Sequence, residues 1–189
     1  MDLIDFRLPA SGFESPLLLW LACHERGQRV AQLLLRLTEH WTAHGPSDAI
    51  NVTARDVRRY FDEAAPRHQQ DEDLDLFPRL MRRLDLSGAA GGERLADVLQ
   101  RLDGEHREMD RLWPAVRDAI EHCATRMIHP DHPGLLQRFV GAFIGHHDAE
   151  NAIILPTAQL ALQPVDLAEI GDSMAARRGT TWAALSGKS

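Results

Sequence analysis

The sequence predicts an all-α protein, an antiparallel up-down bundle of four long helices with a short C-terminal helix. Three observations predict it. Strand signals are nearly absent, with one Tyr in 189 residues and no alternating runs between hairpin-type turns. Apolar residues recur at spacings of three and four through most of the chain. One phrase is also written twice, as RHQQDEDLDLFP at 67–78 and GHHDAENAIILP at 145–156. In it His, Glu, a bulky apolar residue and Pro each recur 78 positions apart. A duplicated helix pair explains such a repeat: helices one and two form one half, three and four the other.

Each element has its own signals. Residues 1–14 read as an N-terminal arm. Ser15-Pro16 is a helix start with Pro in the first turn, and the apolar-rich run Leu17–His40 ends before His44-Gly45-Pro46-Ser47. A second helical segment spans about Thr53 to Leu86, stopped by Ser87-Gly88 and Gly91-Gly92, with Pro66 and Pro78 expected to kink or break it. The third runs from Glu93 to about His122. The loop MIHPDHPG carries an Asp suited to capping the fourth helix, which runs from about Gly134 to Leu160. The bundle thus covers 15–162. In 163–189, DLAEIGDSMAARRG is a short amphipathic helix ending at Gly179, and TTWAALSGKS a loosely held tail.

Composition narrows the functions. A chain of this length supports one good core. The net charge of −7, the pI near 5.8 and the lack of any Lys/Arg run longer than a pair argue against nucleic acid and anionic membranes as partners. The longest N-terminal apolar run, Pro16–Cys23, is too short to span a bilayer and lacks the flanks of a signal peptide. Cys23 and Cys123 are isolated, as expected of a reduced cytoplasm. Ten histidines are many, and their placement carries the argument.

On helix three the core stripe reads Leu95, Leu99, Leu102, His106, Met109, Trp113, Val116, Ile120. Helix four gives Phe139, Phe143, His146, Glu150, Ile153, Thr157, Leu160. Helix two gives Val57, Phe61, Ala64, His68, Glu72, Leu76, and helix one Leu17, Leu21, His24, Gln28, Ala31, Leu35. Each helix therefore turns a His inward near its middle, and two add a Glu one turn later. A lone seam His is usually a satisfied core residue. Here that reading must hold six times, with two carboxylates that cost several kcal/mol each to bury unpaired. A cation removes the difficulty, since donors at i and i+4 share a face. Four His and two Glu exceed a four-coordinate zinc site. They suit two metals, His24 and His68 on one, His106 and His146 on the other, with Glu72 and Glu150 shared. Imidazole mixed with carboxylate favours redox iron, with manganese or zinc as alternatives.

The stretches CHERGQ (23–28), HQQDEDLDLFP (68–78), GEHREMDRL (104–112) and HHDAENAIILP (146–156) resemble the hemerythrin-like, or HHE cation-binding, family over roughly residues 12–162. The resemblance implies a four-helix bundle around an oxo- or hydroxo-bridged non-haem di-iron centre. Such proteins bind dioxygen, handle nitric oxide or peroxide, or sense iron and oxygen. The oxygen carriers of the family have a further His one turn after the helix-three His. Asp110 stands there, read as a solvated residue beside the stripe, so the ligand set is more like that of the bacterial and regulatory relatives. The implied function is small-ligand binding or chemistry at a di-iron centre. The alternative is an iron- or oxygen-sensing or iron-holding module read by a protein partner. No side chain stands out as a proton donor, which leaves enzymatic turnover open.

Other residues carry weaker signals. His147 could pair with Glu150, but the repeat register favours His146. Cys23 points away from His24 and reads as a buried thiol. Phe61, Phe143, Met109, Leu21 and Trp113 could line a dry ligand pocket or be ordinary core, and Tyr60 could reach a bound ligand. His122, His129 and His132 gather at a Pro-rich loop, solvent-exposed or a weak surface metal site, and His40 and His44 end helix one.

Overall fold

The computed structural model describes residues 12–87, 92–125 and 129–180, and every regular element among them is helical. Helix α1 spans Pro16–His44 and ends at Gly45, whose φ of 74° is left-handed backbone that glycine adopts without strain. Helix α2 spans Asp48–Arg59 and starts five residues earlier than the apolar pattern suggests. Ser47 in extended backbone accepts from the Ile50 N–H, and Asp48 complements the helix dipole. Then α3 spans Ala65–Asp71, α4 Phe77–Ser87, α5 Gly92–Ala124, α6 His132–Ala161 and α7 Pro164–Arg177. Gly88, Gly91, Met127, Ile128, residues 1–11 and the tail from 181 lie outside the described residues.

The expected break at Pro66 and Pro78 takes another form. A π turn, Tyr60–Ala64, joins α2 to α3, and a second, Glu72–Leu76, joins α3 to α4. The Ala65 N–H bonds the Tyr60 carbonyl and the Phe77 N–H bonds that of Glu72, each five residues back. Both turns begin six residues before a proline. The wider turn moves aside the carbonyl with which the pyrrolidine ring would collide, so the helix continues. Pro114 and Pro156 sit inside α5 and α6, which stay α-helical.

The chain forms two compact units. Among the described residues, the first comprises 25–65 and 104–148. Its core packs Leu34, Trp41, Val57 and Phe61 with Val116, Ile120, Phe139 and Phe143. The second comprises 12–24, 66–103 and 149–180. There Leu19, Trp20, Leu80, Leu99 and Leu102 pack with Ile154, Ala158, Ile170 and Met174. Phe13, from the N-terminal arm, is buried in this second core, and a Cβ on Gly171 of α7 would collide with its carbonyl oxygen.

The helix-three stripe is buried or half-buried throughout. Two other stripes need correction. On α1 the buried line runs Leu19, Trp20, Cys23, His24, Gly27, Val30, Ala31, Leu34, while Leu17, Leu21, Gln28 and Leu35 are only half-buried. On α6 the line after Glu150 continues through Ile154, Ala158 and Leu162, leaving Ile153 and Leu160 exposed. A step of three in place of four on α6, or of four in place of three on α1, rotates a residue well off the seam, because each residue turns about 100°.

Candidate metal centre

In the second unit, α1 supplies Trp20 and His24 one turn apart. Helix α3 supplies His68, Glu72 opens the following π turn, and α6 supplies Glu150 and Asn151. His24, His68, Glu72 and Glu150 are 0–4% exposed, so this charge is inside the protein. His24 Nε2 lies 3.4 Å from Glu72 Oε1 and 3.4 Å from Glu150 Oε2, and His68 Nε2 lies 3.0 Å from Glu72 Oε1. His24 and His68 offer ligand atoms within 4.8 Å of each other, as do Glu72 and Glu150. Two imidazoles and two carboxylates thus form a buried cluster that could hold a metal ion.

Neighbours orient the donors. Trp20 Nε1 donates to Glu72 Oε1 at 2.6 Å. His24 Nδ1 lies 2.8 Å from Asn151 Oδ1, which can only accept. Nδ1 therefore carries a proton, and Nε2 is the ring nitrogen that faces the carboxylates. Burial by itself would depress the His68 pKa, but the Glu72 carboxylate, helped by the Cys23 thiol, holds it well above the ordinary 6.5. Cys23 is a buried thiol in no disulfide, as expected, and adjoins Arg178 as well as His68.

In the first unit, α5 supplies Glu105 and His106, and α6 supplies His146 and His147. His106 and His146 are buried, their ring centroids are 4.5 Å apart, and their ligand atoms come within 4.8 Å. His146 Nδ1 lies 2.9 Å from Glu105 Oε2, a half-exposed carboxylate that fixes the ring as Asn151 fixes His24. A cleft of about 300 Å³ reaches His146 past Glu105, Met109, Gly141 and Gly145. His147 is buried too, 4.2 Å from the Phe143 ring. A Cβ on Gly27 would come within 2.8 Å of the Tyr60 hydroxyl and 2.9 Å of His147 Cε1, so only glycine lets these side chains close in.

The remaining candidates separate. Asp110 is exposed. Phe61 packs at 5.1 Å against Trp113, Phe139 and Phe143, an aromatic cluster that fills the core of its unit. Leu21 is half-buried in the other unit. His122 and His132 stack at 5.5 Å. Burial, then the His122 and His129 charges, lower the His132 pKa, and burial raises the Cys123 thiol to about 11. No three donors of that cluster meet within 4.8 Å among the described residues.

Sequence reasoning did not find Trp20, Asn151 or Glu105. Glu105 stands beside His106 and Asn151 beside Glu150, but the histidines they orient are on other helices. Trp20 lies one turn before His24, and that spacing was a usable signal.

A helical protein that gathers buried histidines and glutamates in this way has, as a class, side chains that could hold a cation. The profile of the hemerythrin HHE cation binding domain matches residues 16–158, most of the chain, and the protein belongs to that family as an all-α, hemerythrin-like bundle. It is also 25% identical over 166 residues to an uncharacterised protein of Haemophilus influenzae, covering 88% of this chain and 91% of that one. Among the described residues no helix is long and apolar enough to cross a membrane.

Proposed function

We propose that the protein holds two metal ions, iron in the cell, through His24, His68, Glu72, His106, His146 and Glu150, and that this centre binds or reacts with dioxygen, nitric oxide or peroxide. The observation that carries the reading is the meeting of acceptors at His24, whose Nε2 faces carboxylate oxygens of both Glu72 and Glu150 at 3.4 Å in a fully buried setting. Lone pairs aimed at one another repel unless a cation lies among them. A proton serves in the metal-free protein, and a metal ion takes its place. Imidazole mixed with carboxylate fits iron, which supplies open coordination positions and one-electron redox chemistry.

The chain's own residues do the rest. Glu72 and Glu150 neutralise the cations. Asn151 and Glu105 set the tautomers of His24 and His146, and the Trp20 N–H holds the Glu72 oxygen. The cleft beside His146 gives a small ligand a way in. Two buried cysteines that form no disulfide suit a cytoplasmic protein. Untagged protein loaded anaerobically with Fe(II) should hold about two irons per chain. Its visible spectrum should change on adding O2, NO or peroxide. A protein that takes up no iron under these conditions would end the reading. The second reading, an iron- or oxygen-responsive module read by a protein partner, is favoured by one observation. Helix α7 lies beyond the matched residues, yet it grips the helix that carries Glu72.

A further inference from the structure

Helix α7 follows the residues that match the family and carries none of the proposed ligands. Its docking is nonetheless more polar than an amphipathic helix needs. Asp71 and Asp75 are 1% and 6% exposed, and they flank Glu72 on either side. Arg177 Nη1 donates to Asp71 Oδ1 at 2.8 Å, and Arg177 also pairs with Asp75. Arg178 donates to both Asp71 oxygens, at 3.2 and 2.7 Å, a two-pronged contact that fixes the carboxylate plane. Arg79 ties the other Asp75 oxygen at 2.7 Å and reaches Glu169 of α7 at 3.2 Å. Further along, Arg83 Nε donates to Asp166 at 2.6 Å. The contacts of Arg177, Arg178 and Arg79 bear on the π turn, Glu72–Leu76, or on the residue before it, while Arg83 ties α7 to α4. A π turn is less regular than the helix around it, so its side-chain directions depend on what packs against it.

We propose that Arg177 and Arg178 are positioning residues. By clamping Asp71 and Asp75 they fix the π turn that aims Glu72, and so couple the docking of α7 to metal occupancy. The proposal rests on Glu72 being a ligand. Coupling is reciprocal: if docked α7 favours metal, bound metal favours docked α7, and whatever draws α7 away weakens the site. The C-terminal helix is then the part of the chain that reports metal to its surroundings.

The test uses the full chain, stripped of metal and titrated anaerobically with Co(II), whose visible bands report ligand geometry. R177Q/R178Q should bind Co(II) about tenfold more weakly or worse, with shifted bands, as when other outer-shell partners are lost. R177K/R178K, which restores charge without the planar fork, should recover part of the affinity. Wild-type affinity and bands in R177Q/R178Q, with binding abolished in E72Q, would overturn the clamp and leave the metal reading standing. An E72Q protein that binds Co(II) like the wild type would overturn the metal reading and the clamp with it. Hydrogen exchange on the unmutated protein needs no variant to fold. Amides of 164–177 should exchange more slowly with Co(II) bound, and unchanged exchange there would also overturn the coupling.

Discussion

The two copies of the repeated phrase share a letter pattern and differ in backbone. In the first, Glu72 opens a π turn, and three consecutive residues, Asp75, Leu76 and Phe77, are buried. In the second, Glu150 lies in regular α-helix, Ile154 is buried, Leu155 half-buried and Ile153 exposed. Position by position, Asp71 and Asp75 stand where the second copy has Ala149 and Ile153. The first copy needs a wider inward face, because two buried acids lie beside the Glu and take arginines from α7. The second has no such acids and keeps the ordinary helix. Its own special residue is Asn151, which accepts from His24 and stands where the first copy has Asp73. The repeat therefore fixes where His and Glu point, and the residues between them decide how each copy is held.

The largest expected effect tests whether the copies are equivalent as ligands. Glu150→Ala and Glu72→Ala should each remove at least half of the bound metal, measured by elemental analysis, while metal-free helicity by circular dichroism stays near wild type. Full metal content in either variant would break the symmetry that the repeat implies. The next effect tests the asymmetry. Asp71→Ala leaves two arginines without their shared carboxylate and should cost roughly 3 kcal/mol in urea unfolding. At the matching position Ala149→Ser should cost less than about 1 kcal/mol. Equal costs would mean that the acids of the first copy contribute nothing special.

Protons provide a smaller and sharper test. The His68 pKa is held above its ordinary value in the metal-free protein, so near neutral pH the ring carries a proton that metal must displace. Metal binding should release protons, and apparent affinity should rise with pH until His68 loses its proton unaided. Calorimetry in buffers of different ionisation enthalpy measures the release, and a pH-independent affinity would contradict it. Trp20→Phe removes the N–H that holds Glu72 Oε1 and should weaken metal binding by about tenfold.

Much of this was legible in the sequence, and what was not has physical reasons. Four helical stretches follow from periodicity, and the α5 stripe, from Leu95 to Ile120, is inward as spaced. The α1 and α6 stripes slipped because choosing between steps of three and four depends on neighbouring helices. Sequence alone does not show that Ile154 rather than Ile153 meets a partner. The π turns were not legible, since proline next to a helix also reads as a kink. Asp71 and Asp75 look like solvated acids because Arg177 and Arg178 lie more than a hundred residues away along the chain. Asn151 and Glu105 are likewise polar residues whose partners are on other helices.

The smallest expected effects come from the prolines, and they ask what keeps the first copy wide. Pro156 interrupts a regular helix on its exposed side. Pro156→Ala restores a helical donor and should stabilise the protein by about 1 kcal/mol, read as a higher urea midpoint at unchanged slope. Pro78 follows a turn that already sends the Phe77 N–H to the Glu72 carbonyl, and its acids are anchored to α7. If the ion pairs hold that turn open, Pro78→Ala should change stability by less than about 0.5 kcal/mol and leave the Co(II) spectrum untouched. If instead Pro78→Ala shifts the spectrum as strongly as R177Q/R178Q, the proline rather than the clamp keeps the turn wide. The two copies would then differ because proline is accommodated in two ways, and the arginines would only follow.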